Sequence, residues 1–257
     1  MTESARRSAD TRPPRPARPD IPGELTEVDD LAGWIERDNG GEPARVPWFS
    51  CAGTRPRGPT SPSCELTESR VEGCSFVGCD FDRAMASDVA FSNCDFSNST
   101  FSQANFTRCT FSSCKFTGAD LLEAVLSRVE VRDSTFAYAS VAKGKLEDVS
   151  VRSTDFSGAD LAELRQRRVE LDDVRFAGTS FFRASLDGVD LSSCRLADIV
   201  LSDTMEELRG CSMDLFQAAG IGASDWTMNV KLAIARRRRP RNVRSFEAWT
   251  NRCNRAG

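Results

Sequence analysis

The stretch CDFSNSTFSQANFTRCTFSSCKF, from Cys94 to Phe116, carries a phenylalanine at every fifth residue. Five residues is neither the period of a helix face, about 3.6 residues, nor that of a strand face, about two. A chain that shows the same side chain every fifth residue must turn a corner each time. The phenylalanines are therefore predicted to point into a core that these corners enclose.

The five-residue period extends far beyond this stretch. Every fifth position from Leu66 to Leu201 gives 28 positions without insertion or deletion, and 26 of them carry Phe, Leu or Val. The two exceptions are Ala86 and Gln166. The positions two residues earlier carry small or apolar residues, and the other three of each five are mostly polar. Repetition of this extent predicts a solenoid.

Three segments carry a resemblance to a known family. FTGADLLEAVL, FSGADLAEL and FFRASLDGVDLSSCRL resemble the A-(D/N)-L-x-x units of the pentapeptide-repeat proteins, over about 140 of 257 residues. The resemblance implies an all-β fold, a right-handed quadrilateral parallel β-helix in which four fives make one square coil. Twenty-eight fives give about seven coils, stacked at about 4.8 Å each. Residues twenty apart then lie above one another, which predicts a core ladder of Phe76, Phe96, Phe116, Phe136, Phe156 and Phe176.

The flanks divide the chain into four predicted regions. Residues 1–23 are Pro- and Arg-rich and predicted disordered, and residues 24–63 are predicted to hold an N-terminal helix and a linker. Residues 64–203 form the β-helix, and residues 204–257 a C-terminal helical cap with a basic tail. Within 24–63, LTEVDDLAGWIERDNGG predicts a short helix with Thr26 at its N-cap, covering the first coil, and VPWFSC predicts a strand. Short helical caps are therefore expected at both ends.

The segment MEELRGCSMDLFQAAGIGASDW resembles the closing segment of several pentapeptide-repeat proteins. The resemblance implies a short helix here and, as in the gyrase-binding members, a homodimer through the C-terminal segment. Beyond it lies the run RRRRPR, residues 236–241. Direct nucleic-acid binding is expected of no part of the chain except this Arg-rich tail.

Composition argues against an enzyme. The chain has ten Cys and no His, which excludes imidazole bases and His-ligated zinc. No phosphate-binding or dinucleotide fingerprint is present. We therefore predict no catalytic residue, no cofactor and no metal. Seven cysteines interchange with Ala, Ser and Val in the small inward series, which predicts buried thiols that form neither disulfides nor metal sites: Cys64, Cys74, Cys79, Cys94, Cys109, Cys114 and Cys194.

Two further features bear on location. Reduced thiols are typical of cytoplasmic proteins, and no apolar run approaches the roughly twenty residues that cross a membrane. The sequence also lacks the apolar region of a secretory signal. A cytoplasmic protein with no membrane partner is therefore expected.

Charge suggests a function for the repeat region. Residues 64–203 hold 23 acidic and 15 basic side chains, a net −8, whereas residues 204–257 carry a net +5. The family resemblance implies a use for an acidic rod, since its quinolone-resistance and mycobacterial members imitate duplex DNA in the DNA saddle of DNA gyrase or another type II topoisomerase. The side chains that would replace phosphates are Asp80, Asp82, Asp95, Asp120, Asp155 and Asp160.

A second hypothesis is a protein-interaction scaffold without any topoisomerase or nucleic-acid role. It would use an exposed apolar column that includes Leu122 and Phe182. In its favour, duplex DNA has no positive stripe, whereas one wall is expected to be basic. That wall contains Arg108, Arg128, Lys145, Arg165, Arg167 and Arg168. Both hypotheses remain open from sequence, as does the hypothesis that the coil bulges at Gln166 so that its amide reaches water or a partner.

Overall fold

The computed structural model of the protein describes residues 16–27, 45–47, 49–52, 64–221 and 231–232. These residues contain short parallel strands, a 3-10 helix, Glu206–Leu208, and one α-helix, α1, Leu215–Gly220. The strands are β1 Thr26–Glu27, β2 Arg45–Pro47, β3 Phe49–Ala52, β4 Glu65–Glu72, β5 Met85–Ser92, β6 Asn105–Thr107, β7 Thr110–Ser112, β8 Val125–Ser127, β9 Glu130–Arg132, β10 Lys145–Arg152, β11 Arg165–Asp172, β12 Arg175–Ala177, β13 Arg195–Ala197, β14 Ser212–Met213 and β15 Lys231–Leu232.

Each strand pairs in parallel with the chain about twenty residues away. Glu65 lies beside Met85 and Lys145 beside Arg165, and isolated bridges continue this register where strands are too short to be assigned. The predicted fold is confirmed: a right-handed quadrilateral parallel β-helix of about seven coils. Its four walls recur every twenty residues. Wall 1 begins with residues 64–68, wall 2 with 69–73, wall 3 with 74–78 and wall 4 with 79–83.

The corners of the coils explain the polar residues between the core positions. The last residue of nearly every five has a left-handed backbone, as at Asn98, φ 55°, and Gly118, φ 67°. Gly and Asn adopt this conformation more readily than other residues. On walls 3 and 4 most corners are tight turns, closed for example by the Cys79 N–H donating to Phe76 O, 3.1 Å. Wall 3 of the sixth and seventh coils is instead extended, as β12 and β13. On walls 1 and 2 most coils run through the corner as extended strands.

The six ladder phenylalanines stack along wall 3. Their ring centroids are separated by 5.1, 4.9, 4.5, 4.9 and 5.6 Å from the first ring to the last. Five of the rings are buried, but Phe156 is only half-buried, so the core is less tight there than the repeat pattern predicts. Stacked rings add to the stability that their burial supplies.

The cysteines lie inside the rod. All eight between residues 64 and 221 are buried free thiols. Burial disfavours the thiolate and raises the pKa of Cys64 and of Cys109 to about 12. Thiols of this kind are poor nucleophiles and poor metal ligands at neutral pH.

The N-terminal residues extend the rod beyond its first coil. Strands β2 and β3 stack on β4, where VPWFSC predicted a strand, and β1 stacks on β3. Thr26 belongs to β1. Upstream, the Asp20 N–H donates to Asp88 Oδ1 of the second coil, 3.2 Å. The predicted helix falls on residues outside the described ranges and stays a prediction, as does the disordered tail.

The C-terminal end closes with an additional part-coil. Ser212 bridges Asp190 on one side and pairs with Lys231 on the other, which continues wall 2. Helix α1 follows, with a capping box between Asp214 and Gln217. The predicted C-terminal helix is thus present, while the Arg-rich run lies outside the described residues. Among the helices that the structure describes, none is long and apolar enough to cross a membrane.

Candidate functional site

Charge is divided unequally among the four walls. Walls 2 and 4 each carry seven acidic and three basic side chains, a net −4 apiece. Wall 1 carries six of each sign and wall 3 three of each, so both are neutral. Because the second and fourth sides of a square coil lie opposite one another, the net −8 is concentrated on two opposite faces of the rod.

Three of the predicted acidic residues form one column on wall 4. Asp80, Asp120 and Asp160 alternate with Thr100 and Ser140 through successive bridges. They therefore recur at every second coil, about 9.6 Å apart.

Each of these carboxylates also stabilises its own corner. In each, one carboxylate oxygen accepts a hydrogen bond from the backbone N–H two residues later in the chain. The donors are Asp82 for Asp80, 2.9 Å, Leu122 for Asp120, 3.0 Å, and Ala162 for Asp160, 3.0 Å. This is the usual role of Asp in turns. The same side chains that close the corners thus give wall 4 its negative charge.

The other predicted acidic residues are not all on this wall. Asp82 is on wall 4, where it pairs with Arg83 at 3.2 Å. Asp95 and Asp155 lie on neutral wall 3, and their Oδ1 atoms accept N–H bonds from Ser97, 3.0 Å, and Ser157, 2.9 Å. The structure therefore brings four of the six predicted residues onto one face and places two on a neighbouring face.

Sequence reasoning overlooked the acidic residues of wall 2. The same twenty-residue spacing would have found them, since Glu130, Glu170 and Asp190 share a column. Asp172 and Asp173 lie beside Glu170 at the corner. Wall 2 consequently matches wall 4 in net charge.

The predicted basic stripe on wall 1 is largely neutralised. Arg108 forms a bidentate pair with Asp88, and Arg168 a bidentate pair with Asp148, with both of the latter contacts at 2.6 Å. The Arg108 guanidinium holds the pKa of Asp88 below its ordinary value, although burial acts in the opposite direction. The expectation of a free positive stripe is therefore wrong for these arginines, and also for Arg167, which pairs with Glu147.

Comparison with known proteins agrees with this architecture. Residues 64–135 and 84–161 match the family model described as pentapeptide repeat region. Residues 64–161, which the two overlapping matches cover together, are therefore a pentapeptide-repeat region.

Solved structures with a similar fold include three proteins. A trypsin-treated variant of QnrB1, a plasmid-mediated fluoroquinolone resistance protein, is 22% identical with a TM-score of 0.46, over 76% of this chain and 91% of QnrB1. HetL, involved in heterocyst differentiation regulation in Nostoc sp. strain PCC 7120, is 13% identical with a TM-score of 0.28, over 72% and 98% of the two chains.

The third is a pentapeptide-repeat protein of the Arabidopsis thaliana thylakoid lumen, 17% identical with a TM-score of 0.24, over 49% of this chain and 67% of that one. No curated protein sequence matches the chain. At these identities and TM-scores, none of the three structures carries an argument about this chain.

Wall 4 of this pentapeptide-repeat rod also exposes apolar side chains. Leu122 is 37% exposed, Phe182 40% and Val200 51%. The Arg183 guanidinium lies 5.0 Å from the centroid of the Phe182 ring. Wall 4 therefore carries both a negative column and exposed apolar side chains.

The described part of the rod shows no arrangement suited to a metal. Within residues 64–221, no three His, Cys, Asp or Glu side chains converge as ligands.

Proposed function

We propose that this pentapeptide-repeat protein is non-enzymatic and binds a protein partner through the outer surface of its rod, imitating duplex DNA in the basic saddle of a type II topoisomerase such as DNA gyrase. The observation that supports it is the concentration of negative charge on two opposite walls. A groove that accommodates duplex DNA presents basic side chains to both sides of a rod-shaped ligand and attracts any rod of comparable charge.

Magnitudes limit what charge alone can do. Seven coils give a rod of about 34 Å. Duplex DNA of that length carries about 20 phosphate charges, at one per about 1.7 Å, whereas the rod has a net −8. Electrostatic attraction should therefore be weaker than that of DNA. The exposed apolar side chains of wall 4 supply the additional contact that a competitor of DNA requires.

Those apolar side chains also support the second candidate function, a scaffold that binds an unrelated protein. Phe182 is the strongest contact residue for this function, because aromatic side chains dominate the energetics of protein interfaces. The two functions differ in salt dependence. Attraction between exposed charges weakens as salt rises, whereas apolar contacts do not.

The test is gyrase supercoiling with and without the protein, at two salt concentrations. A triple variant, Asp80→Asn, Asp120→Asn and Asp160→Asn, removes charge while each Asn retains an oxygen to close its corner. The double variant Asp95→Asn with Asp155→Asn is the matched control on neutral wall 3. DNA mimicry requires the triple variant to lose most inhibition or protection and the control to retain it.

Phe182→Ser separates the two candidate functions. It should damage a scaffold contact and leave electrostatic binding mostly intact. If wild-type protein at micromolar concentration affects gyrase at neither salt concentration, mimicry of DNA toward gyrase is wrong and the scaffold function stands.

A further inference from the structure

One buried hydroxyl on wall 2 has no hydrogen-bond partner. Ser150, in β10, is 2% exposed, and among the described residues its Oγ is the one buried side-chain oxygen or nitrogen that makes no hydrogen bond. Val149 and Val151 on either side are buried in the core, so Ser150 points to the outer side of the wall. Buried polar groups are nearly always paired, and an unpaired one calls for an explanation.

The neighbours of Ser150 along the rod are two glutamates. Glu130 pairs with it in the coil below and Glu170 in the coil above. The Cα atoms of the two glutamates are therefore about 9.6 Å apart, with the hydroxyl between them. Within the described part of the chain, Glu130 forms no ion pair, and Glu170 has only Arg152 at 3.9 Å, too far for a hydrogen bond. Both carboxylates can therefore accept further hydrogen bonds.

Three acceptors arranged in this way are suited to a guanidinium group. An arginine side chain has five N–H donors in a planar fork, so a single guanidinium can donate to two carboxylates and to the Ser150 hydroxyl. The ammonium of lysine is a compact point charge with three donors and bridges separated acceptors less well. The column therefore favours arginine over lysine as its ligand.

The basic side chains of the rod leave the upper part of this column negative. Several arginines near it are already paired with acidic residues of the rod: Arg167, Arg168 and Arg195. Arg128 and Arg132, which have no ion pair among the described residues, weaken the attraction near Glu130. In the last two fives of wall 2, residues 169–173 and 189–193, four acidic residues occur and no basic one. A cationic segment is therefore attracted first to that end of the wall.

The chain itself supplies such a segment close to that end. Ser212 bridges Asp190 on one side and pairs with Lys231 on the other, so Lys231 lies on wall 2 two coils above Asp190. Residues 233–257, which lie outside the described ranges, hold eight Arg and one Glu, a net +7. We call them the arginine-rich segment. It follows directly after the strand that ends wall 2.

The distance from this strand to Ser150 is within reach of the segment. Four steps of about 4.8 Å separate Lys231 from Ser150 along the rod, or about 19 Å. Six to nine extended residues span at most about 20–32 Å. Arg238, Arg239 and Arg241 are six, seven and nine residues beyond Leu232. Any of the three can therefore bring its guanidinium to the hydroxyl.

We propose that Glu130, Ser150 and Glu170 form a guanidinium-binding site on wall 2, and that the arginine-rich segment of the same chain occupies it. The segment returns along the wall past Asp190, and one arginine of residues 238–241 donates to the hydroxyl and both carboxylates. Tethering gives the segment an effective concentration of the order of mM, so weak contacts suffice to hold it. The site does not depend on the topoisomerase proposal. Under that proposal, a partner must displace the segment before it contacts wall 2.

The first test measures the affinity of a synthetic peptide, residues 233–244, for two full-length proteins. One is wild type, and the other, the segment variant, carries five changes: Arg236→Gln, Arg237→Gln, Arg238→Gln, Arg239→Gln and Arg241→Gln. The segment variant should bind the peptide at least about tenfold more tightly, because no arginine of its own competes. Equal affinities would overturn the proposal. So would a difference that disappears on dilution of the protein, since the segment would then come from a second copy.

The second test locates the site on the rod of the segment variant. Glu130→Gln with Glu170→Gln should weaken peptide binding at least about tenfold. Asp120→Asn with Asp160→Asn, which removes the same charge from wall 4, is the matched control and should have little effect. Circular dichroism checks that each variant is folded. Equal weakening by both pairs would show a response to net charge alone and would contradict a site on wall 2.

The third test separates guanidinium recognition from charge. Ser150→Ala in the segment variant should weaken peptide binding at least about twofold, because one acceptor is lost. A peptide with Lys in place of every Arg keeps the charge and should bind the segment variant more weakly than the Arg peptide does. Unchanged affinity in the Ser150→Ala protein would exclude the hydroxyl from the site. Equal binding of the Lys and Arg peptides would contradict a guanidinium site.

Discussion

The rod up to β11 follows the same five-residue period as the junction above it, between residues 165–173 and 185–193, which we call the seam. The two regions join their coils differently. Below the seam, each strand on walls 1 and 2 pairs with the chain twenty residues later, as β4 pairs with β5 over most of its length. At the seam, two side-chain hydrogen bonds replace that ladder. The period therefore determines which side chains point inward, whereas corner geometry determines whether neighbouring coils share backbone hydrogen bonds.

The largest expected effect compares two rungs of the phenylalanine ladder. Phe116 is 1% exposed and stacks on Phe96 at 4.9 Å and on Phe136 at 4.5 Å. Phe116→Ala should lower the free energy of unfolding by about 3–5 kcal/mol, because it leaves a cavity in a closed core. Phe156→Ala should cost about half as much, because Phe156 is half-buried beside an existing cavity.

Chemical denaturation of both variants under one set of conditions measures the difference. Circular dichroism of the native variants serves as the control for the fold. Equal losses would show that the core near the seam packs as tightly as the middle of the rod. A loss below about 1 kcal/mol for Phe116→Ala would contradict its place in the core.

The sequence predicts the inward positions well and the corners poorly. The ladder, the columns and the charges of each wall all follow from the twenty-residue spacing. Corner geometry does not, because the same residue serves both kinds of corner. Asn93, φ 53°, lies on wall 2 at the end of an extended strand, and Asn98, φ 55°, lies in a tight turn on wall 3. The seam was therefore visible in the sequence only as the polar residue Gln166.

The candidate site was predictable to a similar degree. The spacing correctly places Asp80, Asp120 and Asp160 in one column. It also places Arg108 one coil above Asp88, but whether two such side chains pair depends on their rotamers and on burial at the corner. For this reason the ion pairs of wall 1 emerged only from the structure, although its equal numbers of acidic and basic residues can be counted in the sequence.

Glu207 holds the seventh coil in place and gives the next prediction. This carboxylate is 2% exposed and accepts from the Arg183 N–H, 2.7 Å, the Ser202 N–H, 3.2 Å, and the Ser202 hydroxyl, 2.9 Å. Glu207→Gln places an amide where donors converge and should cost about 1–3 kcal/mol. Faster exchange of amides in residues 185–193 than in β5 would show that the seventh coil loosens first.

The same residue predicts a pH dependence. Burial alone raises the pKa of Glu207, but the hydrogen bonds that it accepts outweigh burial and place the pKa below its ordinary value of 4.5. Its contribution to stability is therefore complete above about pH 4.5 and is lost as the pH falls through the lower pKa of the folded protein. Denaturation midpoints between pH 6 and about pH 3 should fall less steeply in Glu207→Gln than in wild type. Parallel curves would contradict this role.

The smallest expected effect is that of Gln166→Leu, which gives this position the residue type of its neighbours in the series. The change removes the hydrogen bond to Asp187 O, but water reaches that carbonyl through the seam, so the loss is limited. The new side chain gains apolar contacts with the cavity lining. These effects oppose one another, and we expect a net change in the free energy of unfolding below about 1 kcal/mol.

Leu126→Gln, at a buried position of the same wall, is the reciprocal variant. It should cost about 2 kcal/mol or more, because its amide would have no partner in a closed core. Leucine at position 166 leaves the tight turns of residues 185–193 in place, so the exchange rates of Leu171 and Asp173 should not slow. A stabilised Gln166→Leu protein with protected seam amides would show that Gln166, and not corner geometry, keeps the coils apart.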